Sequence, residues 1–264
     1  MGTVTRVTIV RHGETDWNKA GIVQGHADIP LNQNGEAQAR IAARWFRQQG
    51  VRWEAAYSSD LVRARRTAEL ILEQHEGEVE LKLDERIRER HLGNLQGKRR
   101  GDPGTDPSTV EPIAVLRARL WSFWDELFPS PPPGHSAQSA SSSLPSPSTS
   151  TPRREVLYVS HGAAIRDFIR SIVEERIDRG GRGGNRGQEG WEWELALPKE
   201  EEDALRSGSK RIDNCSRTVI EVEEVEQEQG RAFYRARLLL YADDSHFDDA
   251  SRAPSPTANA DVVE

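Results

Sequence analysis

Apolar and polar positions along the chain switch repeatedly between two periods. "RVTIV" (6–10) and "EVLYV" (155–159) are continuous β-branched runs of the kind buried inside a parallel sheet, and "EAAYS" (54–58) is a weaker third. After each run the spacing becomes helical: Ala37, Ile41, Trp45 and Phe46 follow "PLNQNG", and Leu61, Ala64, Ala68 and Ile71 follow Asp60, which is placed to act as an N-cap. Ala164, Phe168 and Ile172 follow His161 in the same way. "STVE" at Ser108 has the form of a capping box and predicts a helix from there through Leu116, Leu120 and Trp124. Cys215 and the valines of "RTVIEVEEV" predict a later strand, with "AFYRARLLLYA" (232–242) as its hairpin partner. Strands alternating with helices predict a three-layer α/β/α fold, doubly wound on a mostly parallel sheet.

Three segments stand apart from this pattern. From Pro129 to Pro152 the chain has nine serines and seven prolines and almost nothing apolar to repay its ordering entropy. "DRGGRGGNRGQEG" (178–190) resembles an RNA-binding tract, but it is short and lacks aromatic residues until Trp191, so a flexible insertion is the preferred reading. The end of the chain is acidic and poor in apolar residues. The expectation is a single domain over 1–249, with disordered insertions at about 129–153 and 178–190 and a flexible tail over 250–264.

Composition narrows the classes. The 264 residues carry 36 Lys and Arg against 43 Asp and Glu, a formal charge of −7, which argues against a general nucleic-acid binder or a basic membrane-surface protein. A single cysteine, Cys215, excludes an internal disulfide framework and a multi-cysteine zinc site, and fits a reducing compartment. There is no run of 18 apolar residues and no signal-peptide core; Arg6 breaks a myristoylation pattern, and the sequon at Asn214 is read as chance. A cytoplasmic protein is expected, or a nuclear one, with neither membrane nor nucleic acid as partner.

Candidate chemistry comes from two strand ends. "IVRHG" and "YVSHG" each carry an apolar run into His-Gly, at His12-Gly13 and His161-Gly162, and ligands bind at the carboxyl ends of strands in open parallel sheets. Glycine after histidine permits close backbone approach, and the N–H groups opening the next helix suit an anion such as phosphate.

Taken with its surroundings, the chain resembles the histidine phosphatase superfamily, in the branch containing cofactor-dependent phosphoglycerate mutases and fructose-2,6-bisphosphatases. The resemblance runs from Thr8 to about Phe247 and is carried by "RHGET" with Asn18, "GIVQGHADIPLNQNG" (21–35), "SSDLVRARRTA" (58–68), "RIRERHLGNLQG" (86–97), "SHGAAIR" (160–166) and "YADDSHF" (241–247). It implies a phosphoglycerate mutase-like fold and a phosphatase that hydrolyses small phosphomonoesters such as sugar phosphates. The alternatives are a mutase that returns the phosphoryl group to substrate, or a non-catalytic scaffold on the same fold. His12 would become phosphohistidine, a role suited to an imidazole that is neutral near pH 7 and has one nitrogen fixed by backbone. Arg11 and Arg63 would neutralise the phosphoryl oxygens, with Asn18 and His161 completing the shell and no metal or other cofactor required. Glu89 would be the proton donor, with Glu85 at helical spacing as the alternative acid. Gln24, Gly25, Thr15 and Gly162 fall at positions that resemble substrate contacts, although a polar turn accounts for Gln24 and Gly25 almost as well. His26, His75, His91, His135 and His246 follow no apolar strand and are read as non-catalytic, although His91 lies close to the proposed acid.

The chain departs from the family in two places. Many members carry a Pro-Gly-Gly-Glu-Ser element before the next helix; here "PGTDPSTVE" stands in its place, and the element's glutamate reads as absent. Family mutases also have a longer insertion after the glutamate motif, whereas only ten residues, Lys98 to Pro107, intervene here, so an open, hydrolytic site is expected.

Overall fold

The structure is a computed structural model that describes residues 3–99, 101–104, 106–129, 153–178, 190–226 and 232–247. The serine-proline segment and the glycine-arginine segment lie almost wholly outside the described residues, as does the tail from 248 onward.

The three runs read as strands are β1 (Val4–Arg11), β2 (Trp53–Ser58) and β4 (Arg153–Ser160), and the hairpin is β6 (Arg217–Glu226) with β7 (Ala232–Asp243). Two short strands join them, β3 (Leu81–Leu83) and β5 (Trp191–Leu195), giving a seven-stranded sheet in the order β3-β2-β4-β1-β6-β7-β5. Among the described strands only β6 runs against the others.

Alternation along the central strands explains the layers. Val7 and Ile9 of β1 and Val156 and Tyr158 of β4 point into one apolar cluster, under α4 (Ile113–Leu127) and α5 (Gly162–Ser171). Val10, Leu157 and Val159 point the other way, into a second cluster under α2 (Gln33–Gln48) and α3 (Val62–Leu72). Strands buried on both faces need apolar residues at consecutive positions, which is why they read as unbroken runs. A five-residue helix α1 (Asp16–Ala20) and α6 (Lys199–Ser207) complete the α-helices among the described residues, and α5 continues into a π-helical turn over Ile172–Ile177.

Local details differ from the sequence reading. Asp60 is not the cap of α3: the N-cap is Leu61, without a side-chain bond, while Asp28 accepts from the Val62 N–H at 2.6 Å and the Asp60 carboxylate is bound by Arg88. "STVE" does not open α4 either. Pro107–Thr109 is a 3-10 turn capped by Asp106, Pro112 precedes the helix, and α4 begins at Ile113. Cys215 lies in the bend before β6, at φ 56°, rather than in the strand.

Edge strand β5 is held by aromatic packing. Trp191 and Trp193 stack at 5.2 Å and meet Trp124, which is fully buried on α4 and also touches Phe128 and Phe168. Trp124→Ala is expected to lower the unfolding free energy by about 3–5 kcal/mol, the usual cost of emptying a large aromatic site. Urea denaturation measures it, and a loss below about 1 kcal/mol contradicts this account of the core.

Candidate active site

Parallel pairing of β1 with β4 places Arg11 opposite Ser160, so the residues that follow, His12 and His161, emerge side by side. Their ring centroids are 5.1 Å apart, and both are wholly buried. The His12 N–H donates to the Ser160 carbonyl at 3.0 Å, fastening the two strand ends together. Beneath them the 214–216 bend closes the floor: Asn214 Nδ2 donates to the His12 carbonyl at 2.9 Å, the Cys215 N–H to the Arg11 carbonyl at 3.0 Å, and the Arg11 N–H to the Ser216 carbonyl at 3.1 Å.

The ring of His12 is fixed in one tautomer. Nδ1 lies 2.7 Å from the Gly13 carbonyl, and since a carbonyl only accepts, Nδ1 carries the proton and Nε2 keeps its lone pair. Among the described residues Nε2 has no hydrogen-bond partner. Gly13 itself is required by space, because a Cβ there would collide with the Gly35 carbonyl at the start of α2.

Two guanidinium groups surround the imidazoles. Arg11 donates to the Ile212 carbonyl at 2.6 Å and lies against Gly162, where a Cβ would come within 3.3 Å of its Nε. Arg63, buried on α3, donates to the carbonyls of Gly25 and Ala27 at 2.7 and 2.8 Å. The motif "GIVQGHADIPLNQNG" is thus bonded to this side chain through its backbone.

The carboxyl of Glu89 sits at the start of α5. It accepts from the N–H groups of Ala163 and Ala164 at 3.1 and 2.9 Å and from that of Arg90 at 2.8 Å, and it is wholly buried. Helix N-termini attract such a group because their first N–H groups lack partners within the helix. Glu85 has a largely exposed side chain paired with Arg88 at 3.3 Å, away from this arrangement.

Thr15 and Asn18 form a capping box on α1: the Asn18 N–H donates to Thr15 Oγ1 at 3.0 Å and the Thr15 N–H to Asn18 Oδ1 at 3.2 Å. The Thr15 hydroxyl also donates to Gln24 Oε1 at 2.8 Å, joining α1 to the loop that carries Gly25. Sequence reasoning missed Asn214 and His26. The first was dismissed as a chance sequon. The second donates from Nε2 to the Glu89 carbonyl at 2.6 Å, a contact that no strand-end pattern announces.

Both central imidazoles titrate well below the ordinary histidine range. Burial is the main cause for each, followed by the charge of Arg63, with Arg11 adding to it at His12. They are uncharged at neutral pH. In the unfolded chain each titrates near about 6.5, so below that pH the unfolded state binds protons that the folded state refuses, and stability falls as pH falls. His246, lowered to about 4 chiefly by burial, acts in the same direction. Between pH 7.5 and 5.5 the unfolding free energy is therefore expected to fall, and to fall less steeply in His12→Asn. Urea denaturation at the two pH values checks this; equal slopes would show that His12 is not held neutral.

The sequence model of the histidine phosphatase superfamily, branch 1, matches residues 7–185. Phosphoglycerate mutase-like protein 4 of Arabidopsis thaliana is 46% identical over 92 residues, which cover 34% of this chain and 39% of that protein. Fructose-2,6-bisphosphatase TIGAR of Xenopus tropicalis is 32% identical over 209 residues, covering 64% of this chain and 75% of that one. The matched region thus spans about two fifths of the first relative's length and three quarters of the second's. Among solved structures, the native mycobacterial glucosyl-3-phosphoglycerate phosphatase is similar in fold over 91% of this chain and 100% of its own, with a TM-score of 0.60 at 23% identity.

Proposed function

Since the chain belongs to branch 1 of the histidine phosphatase superfamily, we propose that it is a phosphomonoesterase that hydrolyses small phosphorylated metabolites through a phosphohistidine on His12. The observation that carries this reading is the pair of buried, neutral imidazoles at adjacent strand ends, flanked by Arg11 and Arg63.

His12 Nε2 attacks phosphorus as the phosphorus–oxygen bond to the substrate breaks, and Glu89 gives its proton to the departing oxygen. Gly13 fixes the ring through Nδ1, so the nucleophilic lone pair needs no further reorientation. Arg11, Arg63 and His161 bind the phosphoryl oxygens, in a water-poor site where such contacts are worth most. In the second half Glu89 takes a proton from water, the hydroxide oxygen bonds to phosphorus, the nitrogen–phosphorus bond breaks, and His12 is regenerated.

Hydrolysis is preferred over transfer because the segment after the glutamate motif folds on itself as a small turn. Lys98 Nζ donates to the Gly104 carbonyl at 2.7 Å, and the Arg99 N–H to Asp102 at 2.7 Å. His12 is buried, but a turn of that size supplies no lid to keep water from the phosphohistidine once the leaving group has departed.

The test incubates the protein, in buffer containing EDTA, with a panel of sugar phosphates and with 3-phosphoglycerate plus a trace of 2,3-bisphosphoglycerate. Free phosphate is expected, with an acid-labile phosphoryl group on His12 after rapid non-acidic quenching. Isomer forming much faster than phosphate makes the protein a mutase. Activity restored only by an added metal overturns the arginine-based account.

A further inference from the structure

Glu89 lies in a segment whose shape is set from outside. Residues Arg86 to Glu89 belong to no strand, and only one 3-10 turn, Glu85–Ile87, supports them. Buried carbonyls need donors, and here all four consecutive carbonyls receive a side chain. Ser160 Oγ donates to that of Ile87 at 2.8 Å and His26 Nε2 to that of Glu89 at 2.6 Å. The remaining contacts come from one residue of α4, Arg119. One Nη donates to the carbonyls of Arg86 and Arg88 at 2.6 and 2.7 Å, and the other to that of Glu89 at 2.7 Å. That second Nη also reaches Glu111 Oε2 at 3.0 Å, and Nε reaches Glu111 Oε1 at 2.8 Å.

A guanidinium has five N–H groups in a rigid planar fork, and this one uses all five. It has none to spare for a ligand, so its function is to hold the protein. Glu111 fixes the orientation of the fork and is tied to the same segment: its N–H donates to the His91 carbonyl at 2.8 Å, and its Oε2 accepts from the His91 N–H at 3.0 Å. Glu111, at the end of "STVE", thus stands just before α4 with its carboxylate on Arg119 and on the His91 N–H.

We propose that Arg119, oriented by Glu111, is the positioning residue of the proton donor: it sets the path of the Arg86–Glu89 backbone and thereby the seat of the Glu89 carboxyl against α5 beside His161. The proposal rests on the reading of Glu89 as the acid of a phosphomonoesterase. Lysine at 119 keeps the charge but offers three donors from a single point, which cannot span three carbonyls and a carboxylate.

A displaced acid has a particular signature. An alkyl phosphate needs its leaving oxygen protonated, whereas the nitrophenolate of p-nitrophenyl phosphate departs without help. The experiment measures kcat/KM, which reports phosphoryl transfer to His12 and not the hydrolysis step shared by both substrates, for glycerol 2-phosphate and for p-nitrophenyl phosphate in wild type, Glu89→Gln and Arg119→Lys, with circular dichroism to confirm folding. Glu89→Gln is expected to lose about 10²- to 10⁴-fold on the alkyl substrate. Arg119→Lys is expected to lose about 10- to 100-fold on it, as misplacement of a catalytic group does, and less than about threefold on the aryl one. If Arg119→Lys does not fold, Glu111→Gln, which keeps the fork but loosens its anchor, is expected to shift selectivity in the same direction. Equal losses on both substrates in the folded variant overturn the positioning role while leaving Glu89→Gln selective. If Glu89→Gln itself fails to discriminate, the acid assignment falls and the proposal falls with it.

Discussion

His12→Ala is expected to lose about 10⁵- to 10⁶-fold in phosphate release, the scale seen when a covalent nucleophile is removed, while the protein stays folded. The two halves of this expectation have separate causes. Turnover disappears because Nε2 of His12 alone combines a lone pair fixed by the Gly13 contact with a place beside His161 and under the charge of Arg63 and Arg11. His161 is close, but among the described residues neither of its ring nitrogens is held by a hydrogen bond, so no contact there fixes a tautomer for it to offer as a substitute. Stability survives because His12 belongs to neither main apolar cluster. Truncation opens a small cavity, but it also removes a buried nitrogen without a partner, and the net change is expected to stay within about 2 kcal/mol. Phosphate release and thermal unfolding measured on one preparation check both halves. Activity above a few per cent of wild type removes His12 from the mechanism, and collapse of the fold makes it a structural residue.

How much of this was legible in the sequence depends on the range of each contact. The central strands were, because burial on both faces forces an unbroken apolar run, as in "RVTIV" and "EVLYV". β3 has three residues, too few for any period, and β5 follows a glycine-arginine stretch that drew the reading away from the alternation in "WEWEL". Helix starts were the least legible. Asp60 and Ser108 look like caps by local pattern, yet Asp60 is claimed by Arg88 and the 108 region by a 3-10 turn, both decided by residues far away or by the proline at 112.

The site divides along the same line. His12 and His161 were found because each ends a strand, and the parallel register then places them together. The resemblance implied Glu89 rather than Glu85, and the two differ in the structure: Glu89 is bound by the N–H groups of α5, whereas Glu85 is largely exposed. Asn214, His26 and Arg119 act on backbone carbonyls of the catalytic segments, and a carbonyl leaves no trace in the side-chain pattern. What the sequence withheld is therefore mostly the support of the site rather than its reactive groups.

Arg63→Lys tests whether that support and the chemistry meet in one side chain. The charge is kept, so simple electrostatics predicts little change. The geometry predicts otherwise. The two Nη atoms of Arg63 hold the Gly25 and Ala27 carbonyls at 2.7 and 2.8 Å, so one planar group fixes the loop from Gln24 to Asp28, while its charge also acts on both His12 and His161. An ammonium on a flexible stem reaches one carbonyl or the phosphoryl group, and it leaves the other buried acceptors without a donor. The expected result is a fall of about 10²- to 10³-fold in kcat/KM, the usual loss when a preorganised transition-state donor is removed. KM should rise as well, since the loop from Gln24 to Asp28 loses its anchor, and this separates Arg63 from a residue that acts on the transition state alone. Steady-state kinetics on the best substrate of the phosphate panel, with the unfolding midpoint recorded alongside, decides it. Kinetics within threefold of wild type reduce Arg63 to a buried charge, and a fall in kcat with KM unchanged removes the loop from its role.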